Sequence, residues 1–203
     1  MILTHGANSI KNSVIIGSRS YPYVQIGNQL WLTENLDWKF DGCNIGNMGM
    51  TTSSKEAAYY NNNESTYGAS GKKYGLLYNW TAVNYIEQNK YTMLPTGWHV
   101  PATSDYASLI SFINNDAASI KSLTDWYADS HPATNAYGMS LLPCGIYTGS
   151  FGGSTTECYL WTTTDNGSKA YYAYLTTTSN IVNYSGQVNK QYYLSLRLVR
   201  TIS

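Results

Sequence analysis

Residues 94–115 read LPTGWHVPATSDYASLISFINN, and their punctuation divides the segment in two. Gly97 allows a tight backbone path, Trp98 supplies a large packing surface, and Pro101 stops an extended run just ahead of a helix start. Thr103 or Ser104 can then cap that helix, and Asp105 suits its first turn. Tyr106, Leu109, Ile110 and Ile113 form one apolar stripe at helical spacing. The segment therefore predicts a short extended piece locked to a helix, with His99 donating a hydrogen bond that pins the loop. The elements on either side decide the fold class.

Upstream, YVQIGNQLWL places Val24 and Ile26 before a Gly27-Asn28 turn and Leu30 and Leu32 after it, the pattern of a short hairpin. Leu76, Leu77, Trp80 and Val83 recur at helical spacing and predict a first helix over 75–88. Between them, residues 41–73 are rich in Gly, Asn, Ser and Thr without a regular period, which reads as a long polar surface loop. Downstream, AYGMSLLPCGIYTG, ECYLWTTT, KAYYAYL and YYLSLRLVR read as strands, the last with Leu194, Leu196 and Leu198 alternating. Two helices packed on short antiparallel sheets make a single α+β domain over residues 21–203, with its N- and C-terminal strands adjacent. Residues 1–20 carry only brief apolar bursts. They are either an extra strand laid on the domain or an arm for assembly or docking on a partner.

The chain has 203 residues, enough to bury roughly 70% of its unfolded surface in one core. Twelve basic and twelve acidic residues cancel, and Lys72-Lys73 is the only adjacent basic pair, so nothing favours nucleic acid. No stretch reaches membrane-spanning length. The first residues lack a secretory signal, so the chain is expected either to act without export or to have lost a leader. Cys43, Cys144 and Cys158 are too few for a disulfide scaffold, and whether Cys144 and Cys158 pair is open.

Enzymatic chemistry finds no positive support. His5, His99 and His131 are scattered, and no His/Cys or carboxylate cluster suggests a metal. Glu34, Asp37 and Asp41 lack a calcium-loop spacing, and Glu157 reads as an exposed strand end. Cys144 follows LLP in an apolar context, where a small buried cysteine is more usual than a nucleophile. No phosphate loop, dinucleotide fingerprint or hydrolase elbow is present. Neither a metal nor another cofactor is expected.

The unusual entry is aromatic: 20 Tyr and 6 Trp. Tyrosine supplies rigid contact area and a hydroxyl at little entropic cost, as recognition surfaces require. The candidate ligand-binding residues are Tyr171, Tyr172, Tyr174, Asn180, Asn183, Tyr184, Asn189, Tyr192 and Tyr193, of which strand alternation lets only some point outward together. Trp31, Leu94, Trp80, Trp98, His99, Trp161, Leu194, Leu196, Arg197 and Leu198 are the expected scaffold.

Taken in order, YVQIGNQLWLTENLDW, YGLLYNW, LPTGWHVPATSDYASL, TNAYGMSLLPCG, YLWTTT and SLRLVR resemble the Fibrobacter succinogenes major paralogous domain family over residues 21–200. The resemblance implies a C-type lectin-like fold. Such domains occur in surface proteins of gut and rumen bacteria and in their phages. Two departures bear on where the chain works. Members often carry cysteines where this chain has Leu94 and Leu198, and if those cysteines pair, the two leucines replace a staple by apolar contact. Each contributes about 1.5–3 kcal/mol when buried, comparable with a modest disulfide. The calcium-binding motifs of C-type lectins are absent, since Trp161 is followed by Thr162 and Thr163. The resemblance and the absent signal together lead to an expected non-enzymatic virion protein of a phage infecting gut bacteria: a head fibre, capsid decoration or tail-associated adhesin, assembled in the host cytoplasm. It would attach to other virion proteins through residues 1–20, possibly as a homo-oligomer, and bind a host-surface glycan or protein. The alternative is a bacterial cell-surface adhesin or polysaccharide-binding module.

Overall fold

The computed structural model describes residues 12–202. In chain order the strands are β1 (Ser13–Ile16), β2 (Arg19–Ile26), β3 (Gln29–Leu32), β4 (Asn44–Ile45), β5 (Glu56–Tyr59), β6 (Leu76–Asn79), β7 (Trp98–His99), β8 (Cys144–Tyr147), β9 (Phe151–Ser154), β10 (Glu157–Asp165), β11 (Lys169–Thr176), β12 (Ser179–Asn189), β13 (Tyr193–Leu194) and β14 (Val199–Thr201). The helices are α1 (Glu64–Tyr67), α2 (Trp80–Gln88), α3 (Lys90–Met93) and α4 (Thr103–Phe112). The result is a mixed α+β domain dominated by two sheets. A five-stranded one runs β1-β2-β3-β14-β7, and a nine-stranded one runs β12-β11-β10-β8-β13-β6-β5-β4, with β9 paired to β8.

The smaller sheet joins the chain ends. Gly27 at φ +60° opens the two-residue turn that sets Ile26 opposite Gln29, and β3 pairs on its other side with β14, Val199 opposite Trp31. The early hairpin is thus the neighbour of the closing strand through β3, while β1 lies two strands further out. β1 pairs along β2 from Ser13 opposite Pro22 to Ile16 opposite Arg19, so a boundary at residue 20 runs through β2. The rest of the expected arm, residues 1–11, lies outside the described residues.

Several local expectations are corrected. The helix expected over 75–88 begins only at Trp80; Leu76 to Asn79 form β6, because Asn79 caps α2 through its side chain while Tyr78 and Leu76 pair with β5. The polar stretch 41–73 is not all loop. Its four residues Glu56–Tyr59 are fully buried as β5, a segment too short and too flanked by polar residues to show a period. Neither Thr103 nor Ser104 caps α4; Ala102 occupies the cap, and the side chain of Asp105 accepts from its N–H at 2.8 Å. The sheets are neither all short nor all antiparallel: β12 has 11 residues, and β4–β5 and β8–β10 pair in parallel. Cys144 and Cys158 are free thiols on neighbouring strands.

The closing strand is two strands. Leu194, Leu196 and Leu198 project into one core cluster, which also holds Leu94, Trp80, Trp98 and Trp161. Between them the backbone leaves the larger sheet and enters the smaller one, Leu196 and Leu198 accepting from Leu36 and Leu32 N–H groups. Arg197 points the other way and is fully buried. Its Nε donates to Asn35 Oδ1 at 2.7 Å, Nη1 to Leu32 O at 2.9 Å and to Met139 O, and Nη2 to Ser140 O at 2.9 Å. Burial pushes its pKa down to about 10, so it stays charged at neutral pH, and it ties the segment at Met139–Ser140 to the backbone-paired segments around Leu32–Asn35 and Leu196–Leu198.

Candidate functional site

Strands β10, β11 and β12 form one end of the larger sheet, with β12 as its edge. Their register sets Tyr159 opposite Tyr174, Trp161 opposite Tyr172, Tyr172 opposite Gly186 and Tyr174 opposite Asn183. Residues opposite one another, and alternate residues along a strand, share a face. Glu157, Tyr159 and Trp161 of β10 therefore line up beside Tyr172 and Tyr174 of β11 and Gly186 and Asn183 of β12. Trp161 closes this row inward: it is fully buried, with its Nε1 donating to Tyr78 O at 2.7 Å. The tyrosines continue the row outward, each half-buried.

The three rings touch. Tyr159 and Tyr172 have centroids 5.5 Å apart, Tyr172 and Tyr174 5.5 Å, and Tyr159 and Tyr174 5.9 Å with planes only 21° apart. Gly186 makes room for them, since a Cβ there would lie 2.4 Å from the Tyr172 ring. At the outer end, the Tyr159 hydroxyl donates to Glu157 Oε2 at 3.1 Å. Gly153, at φ +72°, lets that carboxylate lie close; a Cβ would meet Glu157 Oε2 at 2.3 Å. Burial first, and then the neighbouring Glu157 charge and hydrogen bond, raise the pKa of Tyr159 well above its ordinary value, so the phenol stays a neutral donor. Burial likewise raises Tyr172.

The nine residues singled out by composition divide. Tyr172, Tyr174 and Asn183 come together on this face. Tyr171 is on the opposite side of β11, facing Gln187 across the register. Asn180 ties β12 to the turn after α4, accepting from Ala118 N at 2.9 Å and donating to Asp116 at 2.9 Å. Tyr184 packs against the α4 core cluster, and Tyr192 against the leucine cluster. Asn189 is exposed at the far end of β12, opposite Lys169. Tyr193 does not belong to a binding surface: it is fully buried, and its hydroxyl donates to the buried Glu56. Glu157 and Tyr159 were missed, although the alternation Glu157-Tyr159-Trp161 in ECYLWTTT already puts them on the face of a core tryptophan. Glu157 is half-buried, not an exposed strand end.

Other chemistry-bearing residues serve the scaffold. His99 reaches Asp105 Oδ2 at 3.4 Å and the Gly97 carbonyl at 3.2 Å, tying β7 to the start of α4. Cys144 accepts from Ser195 Oγ at 3.0 Å, and contact with the Cys158 thiol, together with this hydroxyl, lowers its pKa against the opposing effect of burial. Cys144 and His99 share no hydrogen-bond partner. Among the described residues no group of three His, Cys, Asp or Glu side chains is placed to hold a metal ion, and no helix is long and apolar enough to cross a membrane. A cleft of 680 Å³ opens elsewhere, between Tyr23, Lys73, Asp125 and Ser140, with Glu34 bridged to Lys73 and Lys72 to Asp125 across its walls.

The family model of the Fibrobacter succinogenes major domain matches residues 24–200. The chain belongs to that family. No curated protein and no solved structure matches it. The match takes in both sheets from within β2 to within β14, so the tyrosine face and its Glu157 border lie inside the Fibrobacter succinogenes major domain rather than on an appendage to it.

Proposed function

We propose that this Fibrobacter succinogenes major domain is a non-enzymatic recognition module that uses the Tyr159–Tyr172–Tyr174 face to bind a host-surface ligand, glycan or protein. The observation that carries the reading is the three-ring contact at the open end of the larger sheet. Tyr159 and Tyr172 rest on the cluster that holds Trp161, and all three rings keep part of their surface open to solvent beside polar groups, where Trp161 is wholly covered. We further read the architecture as C-type lectin-like. Its support is the pairing of the early hairpin strand β3 with the closing strand β14, together with two principal helices, α2 and α4, packed against the sheets.

The place of action that best accommodates these features is a phage virion, as a head fibre, decoration or tail-associated protein joined to other virion proteins ahead of β1. Supporting this, Leu94 and Leu198 share one buried cluster where relatives often carry cysteines, so the core closes without a disulfide and can form in a reducing cytoplasm. The binding test is retention of the fluorescently labelled chain on host bacterial cells. Wild type is expected to be retained and Tyr174→Ala to lose about tenfold in apparent affinity. Equal retention of both, or none of either, overturns the recognition reading. Detection of the chain in purified particles checks the location, and its recovery from the outer surface of uninfected bacteria would favour the adhesin alternative.

A further inference from the structure

We infer that the tyrosine face, on the recognition reading above, selects uncharged glycans and rejects those bearing carboxylate or sulfate groups. Two observations carry this: the spacing of the rings and the unpaired state of Glu157.

The spacing decides between a cage and a platform. An aromatic cage for a quaternary ammonium holds its rings apart so that the cation lies within about 6 Å of each centroid, in the space between them. Here the centroids are 5.5–5.9 Å from one another, which is ring-on-ring contact. No room remains between the rings for a cation. What they offer outward is a contiguous apolar surface, Tyr159 and Tyr174 near parallel and Tyr172 tilted 53° and 43° to them, with phenol groups at its border; such a surface suits the C–H face of a pyranose ring.

The charge decides which pyranose. Glu157 stands on the same face as the rings, two residues from Tyr159 along β10. It has no ion-pair partner among the described residues, and its hydrogen bond from the Tyr159 hydroxyl leaves acceptor capacity on both oxygens. Sugar hydroxyls are donors that this carboxylate can accept from; an acidic sugar brings a like charge to the same place. Neither lysine at this end of the sheet offsets it. Lys169 sits five residues from Tyr174 along β11, roughly 16 Å at strand rise, beyond a Debye length at physiological salt. Lys190 is already bound to Asp165 at 3.1 Å and lies 4.0 Å over the Trp80 ring. Asn183, opposite Tyr174, adds an amide, although its Oδ1 is occupied by Ser185. The charge that borders the rings on this face is therefore the unpaired Glu157 carboxylate.

The test compares the same immobilised branched oligosaccharide in its asialo and sialylated forms, in physiological salt, with wild type, Glu157→Gln and Tyr174→Ala. Wild type is expected to bind the asialo form at least tenfold more tightly than the sialylated one. Glu157→Gln, which is isosteric and leaves the fold in place, should shrink that ratio to within about threefold by gaining the sialylated form, and Tyr174→Ala should weaken asialo binding about tenfold. Equal wild-type affinity for both forms, or a ratio unchanged in Glu157→Gln, overturns the selectivity while leaving the recognition face standing. If neither form binds but host cells still retain the chain through the tyrosine face, a protein ligand replaces the glycan. If nothing is retained at all, the recognition reading falls with it.

Discussion

Two glutamate–tyrosine pairs sit on the larger sheet, and they have opposite surroundings. Glu56 on β5 is fully buried. Its carboxylate accepts from Tyr193, from Gly49 N at 2.8 Å, from Ser54 Oγ at 2.8 Å and, more weakly, from Asn47 at 3.4 Å. Glu157 on β10 is half-buried and accepts from Tyr159 alone. The first is a closed polar network, in which every lone pair has been claimed by the fold. The second is left with capacity that the fold does not use. The same two residue types thus build a structural joint at one place and a receptive border at the other, and the number of satisfied acceptor positions separates them.

The largest contrast is expected from deleting the carboxylates. Glu56→Ala strands the Tyr193 hydroxyl, the Gly49 N–H and the Ser54 hydroxyl inside the protein, at about 1–3 kcal/mol for each buried group left unsatisfied. A loss of roughly 3 kcal/mol or more follows, measured as a fall in the denaturant midpoint at unchanged slope. Glu157→Ala is expected to change stability by less than about 0.5 kcal/mol, because its one partner can turn to water. Comparable losses at both positions would erase the distinction between joint and border.

The hydroxyls should follow at smaller scale. Tyr193→Phe removes a donor to a buried carboxylate and is expected to cost about 1.5–3 kcal/mol, the range for hydrogen bonds to charged groups. Tyr174→Phe should leave stability unchanged within about 0.5 kcal/mol, since no hydrogen bond in the fold depends on its hydroxyl. Thermal melts of the two variants side by side check the pair.

How much of this was legible beforehand depends on what set each element. The hairpin at Gly27-Asn28 and the α4 stripe follow from turn chemistry and local period, which a sequence displays directly. The buried strand β5 does not, because Glu56-Ala57-Ala58-Tyr59 owes its burial to β6 alongside it and to distant donors for its glutamate. Arg197 looks like any basic residue in SLRLVR until three carbonyls and Asn35 converge on it from elsewhere in the chain. The tyrosine face was half legible. Composition pointed to β11 and β12, but it drew in Tyr193, which lies past a turn and belongs to the core. It also passed over Tyr159, whose place opposite Tyr174 depends on the register, and the irregularity between Trp161 and Asp165, of the β10–β11 hairpin.

A third carboxylate falls between the two extremes. Asp105 is half-buried at the start of α4. Burial works to raise its pKa, but hydrogen bonds from His99 and from the Ala102 N–H outweigh this, and the net shift is downward. The same bond to Asp105 raises the pKa of His99 against its own desolvation. The raised histidine contributes stability that is complete below its unfolded pKa of about 6.5 and is lost as pH rises through the folded value. The lowered aspartate contributes stability that is complete above about 3.9 and is lost as pH falls through its folded value. The pair therefore stabilises most between about pH 4 and 6.5, by an amount on the order of 1 kcal/mol, given a 3.4 Å contact that water still reaches. Denaturation midpoints from pH 5 to 9 should decline across the neutral range in wild type and lose that decline in His99→Gln, which cannot gain the charge. A decline of the same size in both proteins would assign it to another group, and Asp105 would then rank with Glu56 as a carboxylate satisfied by its backbone and side-chain donors without the imidazolium.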